Sequence, residues 1–155
     1  MREMSAPEDW TADDGSMSVE SLSLGEEREP YGEPGFEGLV AWQKARFLAQ
    51  AVYWLADASQ FAGPRAFRDL RQRAAVSVMS NIAEGYERGG RNEFFHMLGI
   101  SKGSCGEVRS LLYVAFDAGY ISKATFDQLQ NQAIECSRLI AGLRKSVDGQ
   151  RPPVR

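Results

Sequence analysis

Arg71-Gln72-Arg73-Ala74-Ala75-Val76-Ser77-Val78-Met79-Ser80-Asn81-Ile82-Ala83-Glu84-Gly85 is the stretch whose reading decides the fold. Wound at 3.6 residues per turn, its apolar and small positions (Ala74, Ala75, Val76, Val78, Met79, Ile82 and Ala83) go round most of the helix. A helix apolar along one stripe needs one neighbouring surface, whereas one apolar on most of its circumference must be covered from several sides. The stretch therefore predicts a helix of an all-α body that is either central to the core or covered in part by a neighbouring copy of the chain.

Upstream, Pro64 is a favourable residue for a helix start, so this helix is expected from about Pro64 to Tyr86. Gly63-Pro64 in turn closes a preceding helix, from about Leu39 to Gln60, with Trp42, Ala45, Ala49, Val52, Leu55 and Ala56 on one broad stripe. Downstream, Gly89-Gly90 breaks the chain before a third helix from about Asn92 to Ala118, and Gly119 supplies a left-handed stop. Ser122 then caps a fourth helix reaching about Ser146, with Ile121 and Phe126 placed as a hydrophobic staple. Four helices of this length with short connections bury their stripes efficiently as an antiparallel up-down four-helix bundle.

Composition agrees with one soluble domain of 155 residues and excludes collagen-like, membrane and wholly disordered classes. The net charge of −3 hides an asymmetry. Residues 1–37 hold eleven acids against two arginines, and residues 38–155 hold ten acids against sixteen Lys and Arg. The head, rich in Gly, Pro, Ser and acids, reads as a disordered acidic extension, residues 38–147 as the bundle, and 148–155 as a frayed tail. The scattered Trp10, Met17, Leu22 and Leu24 of the extension read as non-specific. No signal peptide opens the chain, and its charge-free run Phe47 to Ala56 is too short to span a bilayer, so cytoplasmic residence is the default.

Four further pieces complete a pattern with residues 71–85: Leu39-Val40-Ala41-Trp42-Gln43-Lys44-Ala45, Asn92-Glu93-Phe94, Lys102-Gly103-Ser104-Cys105-Gly106-Glu107-Val108 and Gly119-Tyr120-Ile121-Ser122. In order and spacing they resemble the four-helix-bundle proteins related to those encoded in intervening sequences of bacterial 23S rRNA genes. The resemblance covers about residues 36–147 and leaves the acidic extension outside. It implies a ring-like homopentamer without enzymatic activity. It also implies a looser kinship to the accessory protein of diversity-generating retroelements, which acts with a reverse transcriptase and nucleic acid. Members usually carry proline where this chain has Met79, so the resemblance leaves open whether the helix kinks there.

Two surfaces stand out as contact candidates. Gly99, Gly103 and Gly106 share one face of helix 3, where each glycine costs about 1 kcal/mol relative to alanine. Close approach of another helix is the expected compensation, and with Val76 and Met79 these glycines form the candidate oligomer interface. The second is basic: Arg65, Arg68, Arg71 and Arg73 at the start of helix 2, Arg88 and Arg91 about the glycine turn, and Lys102 and Arg109 on helix 3. Clustered cations of this kind neutralise phosphates, so RNA or DNA is a candidate partner. An acidic head tethered to a basic body can itself occupy such a surface, which predicts partial autoinhibition.

Catalysis finds little support in the residues. His96, the one histidine, lies amid Phe94, Phe95, Met97 and Leu98, and Cys105 and Cys136 form no CxxC pair. Glu84, Glu87, Glu93 and Glu107 lack the repeated Glu-x-x-His pattern of diiron bundles. Gly99 to Ser104 does not meet the phosphate-loop spacing. No metal or cofactor is called for. The expected function is a non-enzymatic oligomeric scaffold or adaptor for nucleic acid or a nucleic-acid enzyme such as a reverse transcriptase. The alternative is a protein-binding scaffold with no nucleic-acid role.

Overall fold

The structure is a computed structural model that describes residues 35–57 and 63–149. Those residues form a short 3-10 turn, Phe36–Gly38, and four helices: α1 (Val40–Asp57), α2 (Arg65–Glu87), α3 (Arg91–Asp117) and α4 (Lys123–Gly149). α1 packs against α2 and α4, and α3 packs against the same two, so the helices form a ring of four antiparallel neighbours. No described helix is long and apolar enough to cross a membrane.

The helix ends follow the local chemistry. Pro64 sits one residue before α2 and offers its carbonyl to the amides of Phe67 and Arg68 at 3.1 and 3.2 Å. Gly119 adopts φ +71°, and the amide of Tyr120 reaches back to the Ala115 carbonyl at 2.8 Å, closing α3 in the six-residue loop that a left-handed glycine permits. The Ser122 hydroxyl accepts the amide of Thr125 at 3.1 Å, satisfying one of the free donors at the start of α4. Ile121 and Phe126 close over that turn and are both buried. α2 runs unbroken through Met79.

Leu48, Val52 and Leu55 from α1, Val78 and Ile82 from α2, Leu98 and Leu112 from α3 and Ile140 from α4 are almost wholly buried and form the centre of the core. α1 and α3 cover most of the second half of α2: of its seven apolar and small positions, Ala74, Ala75, Val78 and Ile82 are inside, Met79 and Ala83 half-buried, and Val76, at 36% exposure, stays open. A polar seam joins α2 to α3. The Ser77 and Ser104 hydroxyls lie 2.9 Å apart and the buried Ser101 hydroxyl donates to the Val78 carbonyl at 2.6 Å, while within α2 the Asn81 amide donates to the Ser77 carbonyl at 2.6 Å.

The packed body takes in more of the chain than the charge pattern implies. Phe36 packs edge-on against Trp42, with ring centroids 5.1 Å apart, and the Gln43 side chain donates to the Glu37 carbonyl at 2.9 Å. Residues 35–37 therefore belong to the body, because an aromatic ring has a partner to bury against. α4 extends through Gly149, past the expected stop at Ser146. The rest of the acidic extension with Trp10, Met17, Leu22 and Leu24, the last turn expected of helix 1, and residues 150–155 lie outside the described residues.

Candidate nucleic-acid interface

The basic residues named from the sequence do not gather at one place. Arg65 and Arg68 lie at the start of α2, Arg73 is exposed further along it, and Arg88 and Arg91 sit at the opposite end of the bundle. Arg71 cannot join a phosphate-binding surface of the single chain. It is only 2% exposed, and its guanidinium stacks over the Phe67 ring at 5.7 Å. Burial, and then repulsion from Arg68, lowers its pKa to about 10. Arg88 is already engaged, held by Glu84 one helical turn back and by Glu93 across the glycine turn.

Lys102 and Arg109 behave differently, since they share a seam with α4. On α3, Phe95, Lys102 and Arg109 follow one another at seven-residue steps and so lie along one stripe. Both ends of that stripe touch α4: Arg144 stacks on the Phe95 ring at 3.9 Å and donates to the Phe95 carbonyl at 3.2 Å, while Arg109 and Gln130 exchange hydrogen bonds at 3.3 and 2.9 Å. Lys102, halfway between, is therefore level with the middle of the Gln130 to Arg144 stretch, where Arg138 stands. Arg138 and Lys145 are seven apart, exposed, and one position outward of the stripe that meets α3.

Five cations thus line the outer α3/α4 seam: Lys102, Arg109, Arg138, Arg144 and Lys145. Among the described residues, Lys102, Arg138 and Lys145 have no hydrogen bond or ion pair. Between the contacts that tie α3 to α4, acids are few. From Phe95 to Arg109 the single acid is Glu107, three residues on from Ser104 and on the side of α3 that meets α2. From Gln130 to Lys145 the single acid is Glu135, paired at 3.0 Å with Lys44 on α1. Arg138, Arg144 and Lys145 were missed from the sequence, although their signal was there. Seven-residue spacing of cations on two consecutive helices marks a shared seam once the helices are known to be antiparallel neighbours.

The glycines of α3 border this seam. A Cβ added at Gly103 or Gly106 would meet nothing within 4 Å, and one at Gly99 would make ordinary contact with the Arg144 guanidinium at 3.6 Å. Close approach of a helix inside the chain is therefore not what these glycines serve. The glycine that does serve it is Gly85 on α2, where an added Cβ would stand 2.6 Å from the Cβ of Met97. Of the other interface candidates, Val76 is exposed on α2 and Met79 packs half-buried against the core. Val76 and the glycine edge face different sides of the bundle. Ile100, Tyr113 and Val114 add exposed apolar surface to α3, at 42, 54 and 49%.

His96 is exposed on α3. Cys105 and Cys136 face each other across α3 and α4, both fully buried and unbridged. A hydrogen bond to Cys105, reinforced by burial, holds the Cys136 thiol far above its ordinary range, which is the state of a packed thiol rather than a nucleophile. A shallow groove between α1 and α4 is lined by Val40, Phe47 and Leu48, and its two ionisable residues, Lys44 and Glu135, pair with one another. Among the described residues no group of three His, Cys, Asp or Glu is placed to hold a metal ion.

Comparison with known proteins places this bundle. A solved structure, titled as a protein of unknown function from the S23 ribosomal protein family of Bacteroides thetaiotaomicron, superposes with a TM-score of 0.63 at 20% identity. The match takes in 68% of this chain and 99% of that one, a likeness that establishes the fold. No curated protein matches the chain. The family model described as 23S rRNA-intervening sequence protein matches residues 37–142, from the packed 3-10 turn to the last turns of α4. With more than half of its length so matched, the chain belongs to the 23S rRNA-intervening sequence protein family.

Proposed function

We propose that the protein is a non-enzymatic, self-assembling scaffold that holds the phosphate backbone of a nucleic acid along the α3/α4 seam. The observation that carries this reading is the row of cations at Lys102, Arg109, Arg138, Arg144 and Lys145, where the only acids between Phe95 and Arg109 and between Gln130 and Lys145, Glu107 and Glu135, lie on other sides of their helices. Cations at one-turn and two-turn steps on rigid helices match the regular charge of a backbone and read no bases, so binding is indifferent to sequence. The free chains of Lys102, Arg138 and Lys145 act as phosphate contacts, while Arg109 and Arg144, tied to Gln130 and Phe95, contribute their field. An adaptor that presents nucleic acid to an enzyme such as a reverse transcriptase would need no more than this.

Electrophoretic shifts with RNA, single-stranded DNA, duplex and hybrid at low salt test the reading. If the three free cations each neutralise one phosphate, affinity falls roughly 20- to 40-fold between 50 and 200 mM salt. The triple variant Lys102→Glu, Arg138→Glu, Lys145→Glu should abolish the shift. An unaltered shift in that variant, or none for the parent with any of the four ligands, refutes it.

Exposed Ile100, Tyr113 and Val114 favour a second, compatible element, contact with copies of the same chain through α3, where Gly103 and Gly106 leave room for a neighbouring backbone. A pentamer is the assembly we propose, and solution mass measured at micromolar concentration tests it.

A further inference from the structure

We propose that the acidic N-terminal extension, residues 1–34, is an intramolecular occupant of the α3/α4 seam and competes with nucleic acid there. The competition rests on the phosphate-binding reading above, whereas the docking itself does not.

Charge complementarity identifies the occupant. Residues 1–34 hold ten acids against two arginines, and four of the acids, Glu26, Glu27, Glu29 and Glu33, fall within the nine residues nearest the body. The seam presents Lys102, Arg138 and Lys145 without partners among the described residues, and no acid of α3 or α4 between Phe95 and Arg109 or Gln130 and Lys145 faces them.

Position and length allow the contact. Phe36–Gly38 packs on α1 and α2, at the end of the bundle where α3 begins and α4 ends, so the chain leaves the body at the end that carries Lys145. From Phe95 to Arg109 the seam is about 21 Å long. A 34-residue coil has a root-mean-square span of roughly 30 Å, enough to cross one end of the bundle and lie along the seam. Tethering at that length sets a local concentration near the millimolar range, so contacts too weak to bind a separate peptide suffice.

Two measurements on the full chain separate this docking from the phosphate reading. The first is zero-length carbodiimide cross-linking at low salt, followed by peptide mapping of the monomer band. It should join Lys102 or Lys145 to carboxylates within residues 1–34, and 500 mM salt should remove the links. The second is titration of a labelled 20-nucleotide single-stranded RNA against the parent and the variant Glu26→Gln, Glu27→Gln, Glu29→Gln, Glu33→Gln. Loss of four exposed pairings should tighten RNA binding roughly tenfold and weaken the cross-links. Cross-links without RNA binding by either protein would sustain the docking and sink the phosphate reading. RNA binding of equal strength in both proteins, with no cross-link from residues 1–34 to either lysine in the monomer band, overturns the docking and leaves the phosphate reading standing.

Discussion

Gly85→Ala and Gly106→Ala make the same chemical change at two helical glycines with opposite surroundings, and together they test the packing in detail. In the interior of a helix, alanine is favoured over glycine by about 1 kcal/mol. At Gly106 an added methyl meets nothing of its own chain within 4 Å, so the variant should gain roughly that amount in dilute protein, where the chain is unassembled. At Gly85 the methyl would lie 2.6 Å from the Met97 Cβ and 3.1 Å from the Phe94 ring. A Cβ cannot swing aside as the end of a flexible chain can, so α2 and α3 must part by about an ångström, and overpacking of this kind costs about 1–3 kcal/mol. Set against the propensity gain, Gly85→Ala should lose up to about 2 kcal/mol, so the two variants differ by roughly 1–3 kcal/mol. Urea unfolding followed by far-UV circular dichroism resolves this difference, which corresponds to several degrees in Tm. A Gly85→Ala protein stabilised as much as Gly106→Ala would show that the helices do not approach there as described. A loss at Gly106→Ala that grows with protein concentration would show a neighbouring chain seated over that glycine.

The N-cap and the thiols give two smaller tests. Ser122→Ala removes the acceptor of the Thr125 amide and should cost about 1 kcal/mol, read from the urea midpoint, while Ser122→Asp, which keeps an acceptor, should restore most of it. Cys105 and Cys136 are wholly buried, so neither should react with a water-soluble disulfide reagent until the bundle opens; one equivalent released within seconds from native protein contradicts their placement.

The helix boundaries were legible in the sequence because the residues that set them act locally. Gly119 needs only its own backbone freedom to stop α3, Ser122 only the amide three residues on, and Pro64 only its position before α2. Partner-dependent features were not legible. Arg71 looks like one more surface cation in a basic run, and its withdrawal depends on Phe67 offering a ring at the right level. Gly85 looks like the end of a signature, and its role depends on Met97 arriving from another helix. The same holds for the α3/α4 seam: Lys102 and Arg109 were visible as a pair, but Arg138 and Lys145 join them only because antiparallel pairing brings Phe95 to Arg144 and Arg109 to Gln130. Likewise, Phe36 marks the edge of the body because Trp42 turns towards it, a contact that the acidic composition around it conceals.

The hydroxyls between α2 and α3 bear on how alignment is chosen. Alanines, valines and leucines tolerate a slide of one turn, about 5.4 Å, since each would meet another side chain of similar size and character. Ser77, Ser101 and Ser104 do not, because each has a partner on the facing helix at one level: a hydroxyl for Ser77 and Ser104, the Val78 carbonyl for Ser101. Such bonds contribute only about 1 kcal/mol each, yet in a displaced arrangement the Ser101 hydroxyl would be stranded away from water at a comparable penalty. They work like the graduations on a slide rule, adding little to the force that holds the two pieces together while fixing which mark stands opposite which. Substitutions among the oily residues would then alter the tightness of the bundle, whereas substitutions among these few alcohols would alter its phase.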